Sequence, residues 1–256
     1  MYCFKVDSSS FLYKNIGLVV CRQQKTDGFY HCLVHKNIVE SSFVSNKTSE
    51  IGYSFPLYLY PDNLYADEKR KPNLKKVIVD EIAERLELRF SEEKEDDSES
   101  FAPIDILDYI YAVLHSPLYR EKYKEFLKID FPRVPYPENT AQFWTLAAFG
   151  EKLRKLHLME NIAPVQNLAN FPKAGSNTIE KPIYKNDKVW INGAQYFDNI
   201  LQSVWEFYIG GYQPAQKWLK DRKNRTLTYE EIEHYQKIVF VLNETDKIIK
   251  NIASLQ

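Results

Sequence analysis

The chain has 256 residues and a formal net charge of −1 at pH 7, a length that fits one or two domains. Apolar residues make up 44% and charged residues 27%, so the chain can bury a core of its own, and it has no apolar run of the ~18 residues that a membrane helix needs. The balanced charge excludes a uniformly basic nucleic-acid-binding surface, so any such charge must lie on one face or come from neighbouring domains.

The first part of the chain has the pattern of β-strands. Short runs rich in β-branched and aromatic residues predict strands at 16–21, 29–34, 38–44 and 53–60. Pro56 lies inside the fourth run and indicates an edge strand or a bulge, because proline has no N–H for an inner ladder.

Helices dominate the middle of the chain. Apolar spacing predicts an amphipathic helix at 74–90, and the acidic run at 91–99 is typical of a solvated, mobile loop. Another helix begins at Pro103, is interrupted at Ser116-Pro117 and restarts over 117–127. Three prolines then enforce an extended path over 130–137, and a further helix is predicted at 140–160.

The last part mixes strands and helices. Strands are predicted at 179–184 and 188–191, joined by an Asn-Asp turn, and an apolar strand at 204–209 ends at Gly210-Gly211. A short helix follows at 214–221. Thr228 and Glu231 form a capping box that opens a long helix over 229–253.

The order of these elements bears on fold class and domain organisation. Strands, helices, strands and helices follow one another without regular βαβ alternation, which predicts an α+β fold. We expect a β-rich part at 1–62, a helical scaffold at 63–160 and a second α+β part at 161–256 ending in the long helix. Together they are expected to form one composite domain.

Residues that would support catalysis are sparse. His31 and His35 share a face of a predicted strand without further ligands, and His115, His157 and His234 are each expected to be isolated, hydrogen-bonded helix residues. Pro61-Asp62 and Asp67-Glu68-Lys69 resemble a metal-nuclease signature, but their close spacing in a loop favours a turn. The three cysteines, Cys3, Cys21 and Cys32, lack metal-ligand spacing and indicate free thiols in a reducing cytoplasm.

Two segments combine basic and amide side chains with turns, as DNA contacts require. Arg reads guanine, Asn and Gln read adenine, and Lys and Thr suit phosphates. For both segments an ordinary solvated surface is the alternative interpretation. Gly210-Gly211, just before the second segment, would let the backbone approach another chain closely. The candidate DNA-binding residues are Arg22, Gln23, Lys25, Asn46, Lys47 and Thr48 in the first segment, and Lys217, Lys220, Arg222, Lys223 and Arg225 in the second.

Eight runs of the sequence, in order, resemble one known family. The chain is similar to the C-terminal specificity region of Type ISP restriction–modification enzymes, and to the related Type IIG kind, from about Asn15 to about Lys250. The runs are NIGL with CRQ (15–18, 21–23), SNKTSEIGY (45–53), FPLYLYPD (55–62), DYIYAVLHSPLY (108–119), YKEFLKIDFPRVP (123–135), WEFYIGGYQPAQKWLK (205–220), DRK (221–223) and HYQK (234–237).

The resemblance implies a module that recognises double-stranded DNA and performs no catalysis itself. Enzymes of this family also carry a nuclease, an ATPase and an adenine-N6 methyltransferase, so the parent protein would use S-adenosylmethionine, ATP and Mg²⁺ in the cytoplasm of a prokaryote. This sequence lacks the Asn-Pro-Pro-Tyr motif and the phosphate loop. We therefore expect a fragment or a truncated gene without a cofactor, partnered by DNA and by the methyltransferase domain. The alternative is a protein-interaction module that couples domains without binding DNA.

Overall fold

The computed structural model describes residues 9–25, 28–42, 44, 50–61, 69–160, 162 and 169–255. Apart from a 3-10 turn at Ser9–Leu12, the helices are α1 (Lys76–Leu86), α2 (Pro103–His115), α3 (Pro117–Lys122), α4 (Lys124–Ile129), α5 (Thr140–His157), α6 (Gln202–Trp205), α7 (Pro214–Lys220) and α8 (Tyr229–Ala253). The strands are β1 (Gly17–Cys21), β2 (Cys32–His35), β3 (Gly52–Pro56), β4 (Tyr58–Leu59), β5 (Lys71–Pro72), β6 (Arg89–Phe90), β7 (Ser100–Phe101), β8 (Ile183–Lys185), β9 (Lys188–Trp190) and β10 (Tyr196–Phe197).

The N-terminal sheet is antiparallel, with strand order β2-β1-β3. Gly17 in the central strand pairs with His35 on one side and Pro56 on the other. Every residue of β1 is buried, as its apolar sequence predicts. The prediction from Pro56 is confirmed, because β3 is an edge strand, where an absent N–H breaks no inner ladder.

The strand predicted at 38–44 is wrong. Residues 38–40 carry no regular structure and residues 41 and 42 form a turn. The Glu40 carboxylate accepts a hydrogen bond from the Ser42 N–H at 3.1 Å. A side chain that bonds its own backbone two residues on stabilises a turn rather than a strand. The Ser41 carbonyl accepts from the Gly52 N–H at 2.8 Å, which fixes this turn to the start of β3.

The helical middle forms the larger core. Helix α2 is buried almost all round and packs lengthwise against α5, which α1 also contacts. The helices predicted at 74–90, from Pro103 and at 140–160 are confirmed with shorter bounds. The segment predicted at 117–127 divides at Tyr123 into α3 and α4, and the proline-rich stretch after it, residues 131–137, has no regular secondary structure.

Gly150 allows α2 and α5 to touch along their backbones. A Cβ at this position would lie 1.8 Å from the Asp108 carbonyl oxygen. Ala normally stabilises a helix interior by about 1 kcal/mol over Gly. In this protein we expect the reverse: Gly150→Ala should lower the free energy of unfolding by about 1–2 kcal/mol, because the added methyl group forces the two helices apart. Chemical unfolding measures this.

The matched control is Gly193→Ala, since a Cβ at Gly193 has no heavy atom within 4 Å among those described. Its unfolding free energy should stay within about 0.5 kcal/mol of the original. Equal stability of both variants would contradict the close helix contact.

The acidic run at 91–99 is exposed, as predicted, but ion pairs also fix it to neighbouring segments. Arg70 donates two hydrogen bonds to the Glu93 carboxylate, at 2.8 and 2.6 Å. Lys94 pairs with Asp105 at the start of α2, with a shortest distance of 2.8 Å. These pairs anchor the run against the helical core.

A second three-stranded sheet, with order β10-β9-β8, lies in the C-terminal part. Strands β8 and β9 form the predicted hairpin, although β8 begins at Ile183 and not at 179. Asn186 and Asp187 at its tip have φ values of 52° and 56°. Two consecutive left-handed residues define the turn that matches the twist of a two-residue hairpin, and Asn and Asp tolerate this conformation. Strand β10 was not predicted, because two residues give no periodic signal.

The strand predicted at 204–209 is wrong as well. The chain forms helix α6 instead, with Val204 and Trp205 both buried. Adjacent residues point to opposite faces in a strand but can share a core when the backbone turns as a helix. Of the predicted strand, Ile209 alone makes a β-bridge, to Tyr212.

Helix α8 links the two parts of the molecule. Its first half, including Tyr235 and Leu242, packs into the C-terminal core, whereas Ile248 and Ile252 join the core around α2. Its predicted capping box is present, since Thr228 and Glu231 exchange side-chain bonds with each other's N–H. The predicted α+β class is confirmed. None of the described helices is long and apolar enough to span a membrane.

Candidate functional site

The first predicted contact segment follows β1 and lies against the end of α4. The Gln24 N–H donates to the Lys128 carbonyl at 3.2 Å, and the exposed Arg22 guanidinium is 3.4 Å from Asp130. The Gln23 and Lys25 side chains are also exposed. An exposed ion pair is worth little, so Arg22 is able to exchange Asp130 for a phosphate.

The loop that carries Asn46, Lys47 and Thr48 lies outside the described residues. Glu50, just beyond it, is buried and accepts a hydrogen bond from the Lys25 N–H at 2.6 Å. The buried His31 Nε2 is 3.3 Å from the other Glu50 oxygen. Burial lowers the pKa of His31, and the Glu50 carboxylate opposes that shift. Glu50 thus holds the Lys25 backbone beside the sheet.

Gly210 and Gly211 join the two predicted contact regions within this chain. Their N–H groups donate to the carbonyls of Tyr30, at 3.0 Å, and Val44, at 3.2 Å. Gly210 has a φ of 57°, and a Cβ there would lie 2.7 Å from the Val44 oxygen, so a side chain is excluded on both counts. The close approach expected toward another chain is therefore made to the N-terminal part of the same chain.

The second predicted segment covers α7 and the turn after it. Much of its charge is paired: Lys217 is 2.7 Å from Asp221, and Arg225 is 3.0 Å from Glu231. Lys220 bonds the Gln216 side chain at 2.9 Å. The Lys223 side chain is exposed and has no hydrogen bond or ion pair to any described residue, while its N–H donates to the Lys220 carbonyl at 3.2 Å. These side chains lie near solvent, where such pairs exchange easily.

Arg222 in the same segment has a structural role. Its guanidinium lies 3.8 Å from the centre of the Trp218 ring, donates to the Trp218 carbonyl at 3.2 Å and is 3.3 Å from Glu231. It therefore fixes the turn between α7 and α8. The exposed lysines of this segment are therefore better placed than Arg222 to contact an external partner.

The structure adds a basic surface that the sequence reading missed. Lys181, Lys185 and Lys188 line an open groove of about 640 Å³ along the β8-β9 hairpin, together with Trp190. The side chains of Lys181 and Lys185 have no partner within the described part of the chain, whereas Lys188 lies 4.3 Å from the Tyr196 ring centre and 3.6 Å from the Asp198 carboxylate. The lysine spacing around the Asn-Asp turn was a readable signal, since a two-stranded ribbon fits the DNA major groove.

No metal or thiol chemistry is evident in the ranges that the structure describes. No group of three or more His, Cys, Asp or Glu side chains there is placed to hold a metal ion. Cys21 and Cys32 are buried free thiols whose pKa burial raises to about 12, which keeps them protonated; Cys3 lies outside the described residues. The nuclease-like residues 62 and 67–68 also lie outside those ranges.

The histidines partly depart from expectation. His115 and His157 are not isolated, since their ring centres are 5.5 Å apart at the α2-α5 contact. Both are hydrogen-bonded, as predicted: His115 to the Tyr111 carbonyl at 2.8 Å, and His157 to the Tyr111 hydroxyl at 2.6 Å. His31 and His35 share no partner that would make them a pair of ligands.

Solved structures share this fold. The ATP-dependent Type ISP restriction-modification enzyme LlaBIII bound to DNA matches with a TM-score of 0.67 and 16% identity, over 94% of this chain and 16% of that one. A nuclease-deletion mutant of the Type ISP enzyme LlaGI, in complex with a DNA substrate mimic, matches with a TM-score of 0.64 and 17% identity, over 94% and 21% of the two chains. The DrdV–DNA complex matches with a TM-score of 0.67 and 23% identity, over 93% and 24%.

The chain thus spans about a sixth to a quarter of the length of these proteins. No curated protein matches its sequence. The family model described as the Type ISP C-terminal specificity domain matches residues 8–251, which is nearly the whole chain. The chain therefore belongs to the family of Type ISP C-terminal specificity domains.

Proposed function

We propose that this chain is the module that recognises double-stranded DNA for a restriction–modification enzyme. The family match over residues 8–251 is the observation that carries the proposal, because a specificity domain is the part that selects the target. Structures of similar fold are described as bound to DNA or to a DNA substrate mimic.

Three basic surfaces would supply the contacts. They are the segment after β1 with Arg22, Gln23 and Lys25, the α7 segment with Lys217, Lys220, Lys223 and Arg225, and the β8-β9 hairpin with Lys181, Lys185 and Lys188. Arg and Gln would read base edges, and the lysines would hold phosphates. Asn46, Lys47 and Thr48 remain proposed contacts of the first surface.

The parent enzyme would supply the chemistry. We propose that this chain is itself non-catalytic and holds no cofactor, and that an adenine-N6 methyltransferase domain using S-adenosylmethionine contacts it in the parent protein, a Type ISP or Type IIG enzyme of the prokaryotic cytoplasm. ATP and Mg²⁺ would serve the ATPase and nuclease of that parent. Phe126 and Ile129 support such docking, since they are 62% and 63% exposed and one helical turn apart on α4.

Phosphate contacts by the α7 segment make binding sensitive to salt. Each neutralised phosphate adds about 0.9 to the slope of log affinity against log salt concentration. Replacing Lys220, Lys223 and Arg225 together by Ala should therefore lower the slope by about 2–3, as measured by fluorescence anisotropy with a duplex. These three side chains are exposed, so the fold should tolerate the change.

The matched control replaces Lys75 and Lys76 at the start of α1 and Lys152 on α5 by Ala, which removes the same charge. The slope should then change by less than about 1. An equal loss of slope in both triple variants would remove the α7 segment from the interface.

A domain-coupling module without DNA affinity is the second candidate, and the exposed Phe126 and Ile129 are the observation that favours it. A duplex-DNA pull-down at low salt distinguishes the two. Retention of the chain supports DNA recognition, and absence of retention supports the coupling module.

A further inference from the structure

A cavity of about 350 Å³ lies between the loop before β2 and helices α3 and α4. The loop supplies Gln24, Phe29 and Tyr30, and the helices supply four charged side chains as well as Pro117 and Leu127. The space is about ten times the ~30 Å³ share of one water molecule, so a larger group fits.

Gln24 brings an unused hydrogen-bond donor to this cavity. The residue is only 8% exposed, and its Nε2 has no hydrogen-bond partner among the described residues. A buried donor without an acceptor destabilises a fold, and such groups are rare in native proteins. The amide is therefore placed for an acceptor that comes from outside the chain.

The charge of the cavity indicates what that acceptor carries. Its charged lining consists of Arg120, Lys124 and Lys128 against Glu121 alone. Arg120 donates through Nε to the Leu114 carbonyl at 2.6 Å and has no carboxylate partner in the described ranges. The Lys124 side chain, which is exposed, has no hydrogen-bond or ion-pair partner there. Positive charge and a neutral donor converge, which suits an anion with several acceptor oxygens.

The position of the cavity connects it with the proposed DNA surface. Gln24 lies between Gln23 and Lys25 in the first contact segment. The ring of Tyr30 is 6.0 Å from that of Tyr208, two residues before the docked Gly210. The cavity therefore lies beside the first contact segment and close to the chain that leads into the second.

We propose that this cavity holds a phosphodiester group of the bound DNA strand, with Gln24 Nε2, Arg120 and Lys124 as its ligands. The inference rests on the proposed function and adds a specific phosphate site that fixes the register of the module on the duplex. Phosphate contacts of this kind position a protein without reading sequence.

Gln24→Met tests the donor, since Met has a similar length and volume. We expect duplex affinity at low salt to fall about tenfold, the usual cost of losing a hydrogen bond to a charged group, with an unchanged salt slope. Thermal stability should stay equal or rise, because an unsatisfied buried donor is removed. A structural role for Gln24 predicts the reverse, a lower melting temperature with unchanged affinity, and would overturn the proposal.

Lys124→Ala tests the charge. It should lower the salt slope by about 0.9, whereas Lys152→Ala on α5 should leave the slope nearly unchanged. The exposed Gln202→Met is the matched control for the amide, and it should bind DNA like the original chain.

The outcomes separate this inference from the proposed function. If the original chain binds DNA and both cavity variants bind equally well, the phosphate site is overturned and DNA recognition stands. If the original chain binds no DNA, the proposed DNA recognition is wrong, and so is the assignment of a DNA phosphodiester as the ligand of the cavity. In that case, stabilisation by inorganic phosphate of the original chain but not of Gln24→Met would identify a free-phosphate site instead.

Discussion

Arg154→Ala is expected to destabilise this protein by about 3–5 kcal/mol, the usual cost of removing one partner from a buried ion pair. The Arg154 guanidinium donates from Nε and Nη2 to the two Asp108 oxygens at 2.6 and 2.9 Å. Both side chains are less than 10% exposed, at 7% and 5%. Truncating Arg154 leaves the Asp108 carboxylate buried and without its partner. The free energy of chemical unfolding measures the loss.

The matched control is Arg85→Ala. Arg85 pairs with Glu81 one turn away on α1, but both side chains are exposed, at 48% and 40%. Such pairs contribute about 0–1 kcal/mol, so Arg85→Ala should cost no more than that. Similar losses for the two variants would show that burial does not govern the Arg154 effect.

A double variant separates the cost of an orphaned charge from the value of the pair. Asp108→Leu with Arg154→Met removes both charges and keeps apolar volume. Apolar replacements of buried pairs are often neutral, so we expect this variant to be more stable than Arg154→Ala alone. A double variant less stable than Arg154→Ala would show that the pair itself stabilises the α2-α5 contact.

The second large effect is a loss of stability in mild acid. Burial, with the Arg120 guanidinium nearby, lowers the pKa of His157 to about 4. Burial also lowers the pKa of His115 well below its ordinary value. From about pH 7 to about pH 5, His157 alone should cost about 2 kcal/mol of unfolding free energy, and His115 adds to it. Burial raises the pKa of Asp108 to about 6, which offsets about 1 kcal/mol of this loss in the same window, so the net effect remains a loss.

The direction of this pH effect follows from the number of protons that the folded and the unfolded chain bind. An unfolded histidine takes up its proton near pH 6.5, whereas the folded His157 stays neutral until about pH 4. Between these values the unfolded chain binds more protons, so stability falls as the pH falls. The stabilising contribution of the neutral ring is fully present above about pH 6.5, falls as the pH drops below that value and is lost once the pH has passed through about 4.

His157→Gln tests this assignment. Glutamine does not titrate and keeps polar atoms near the Tyr111 hydroxyl and the Thr245 Oγ1, which His157 contacts at 2.6 and 3.0 Å. The difference in unfolding free energy between the two pH values should shrink by about 2 kcal/mol. The exposed His234→Gln should change it far less. An unaltered pH dependence in His157→Gln would assign the acid effect to other groups.

The sequence by itself determined the elements whose signals are local. Pro56 placed β3 at a sheet edge because a missing N–H is a property of one residue. Thr228 and Glu231 set the start of α8, and the Asn-Asp pair set the hairpin turn, because these interactions close within a few residues. Family membership was also readable, since it rests on the order of short motifs along the chain.

Tertiary structure decided everything that depends on a partner distant in sequence. Residues 38–44 and 204–209 have strand composition, yet a turn at Glu40 and the joint burial of Val204 and Trp205 override it. The segments that meet at Gly210 are about 170 residues apart in sequence. The cavity at Gln24 likewise needs α3 and α4, about 100 residues further on. Periodicity encodes which face of an element is apolar, but not which other element covers it, and packing alone settles that choice.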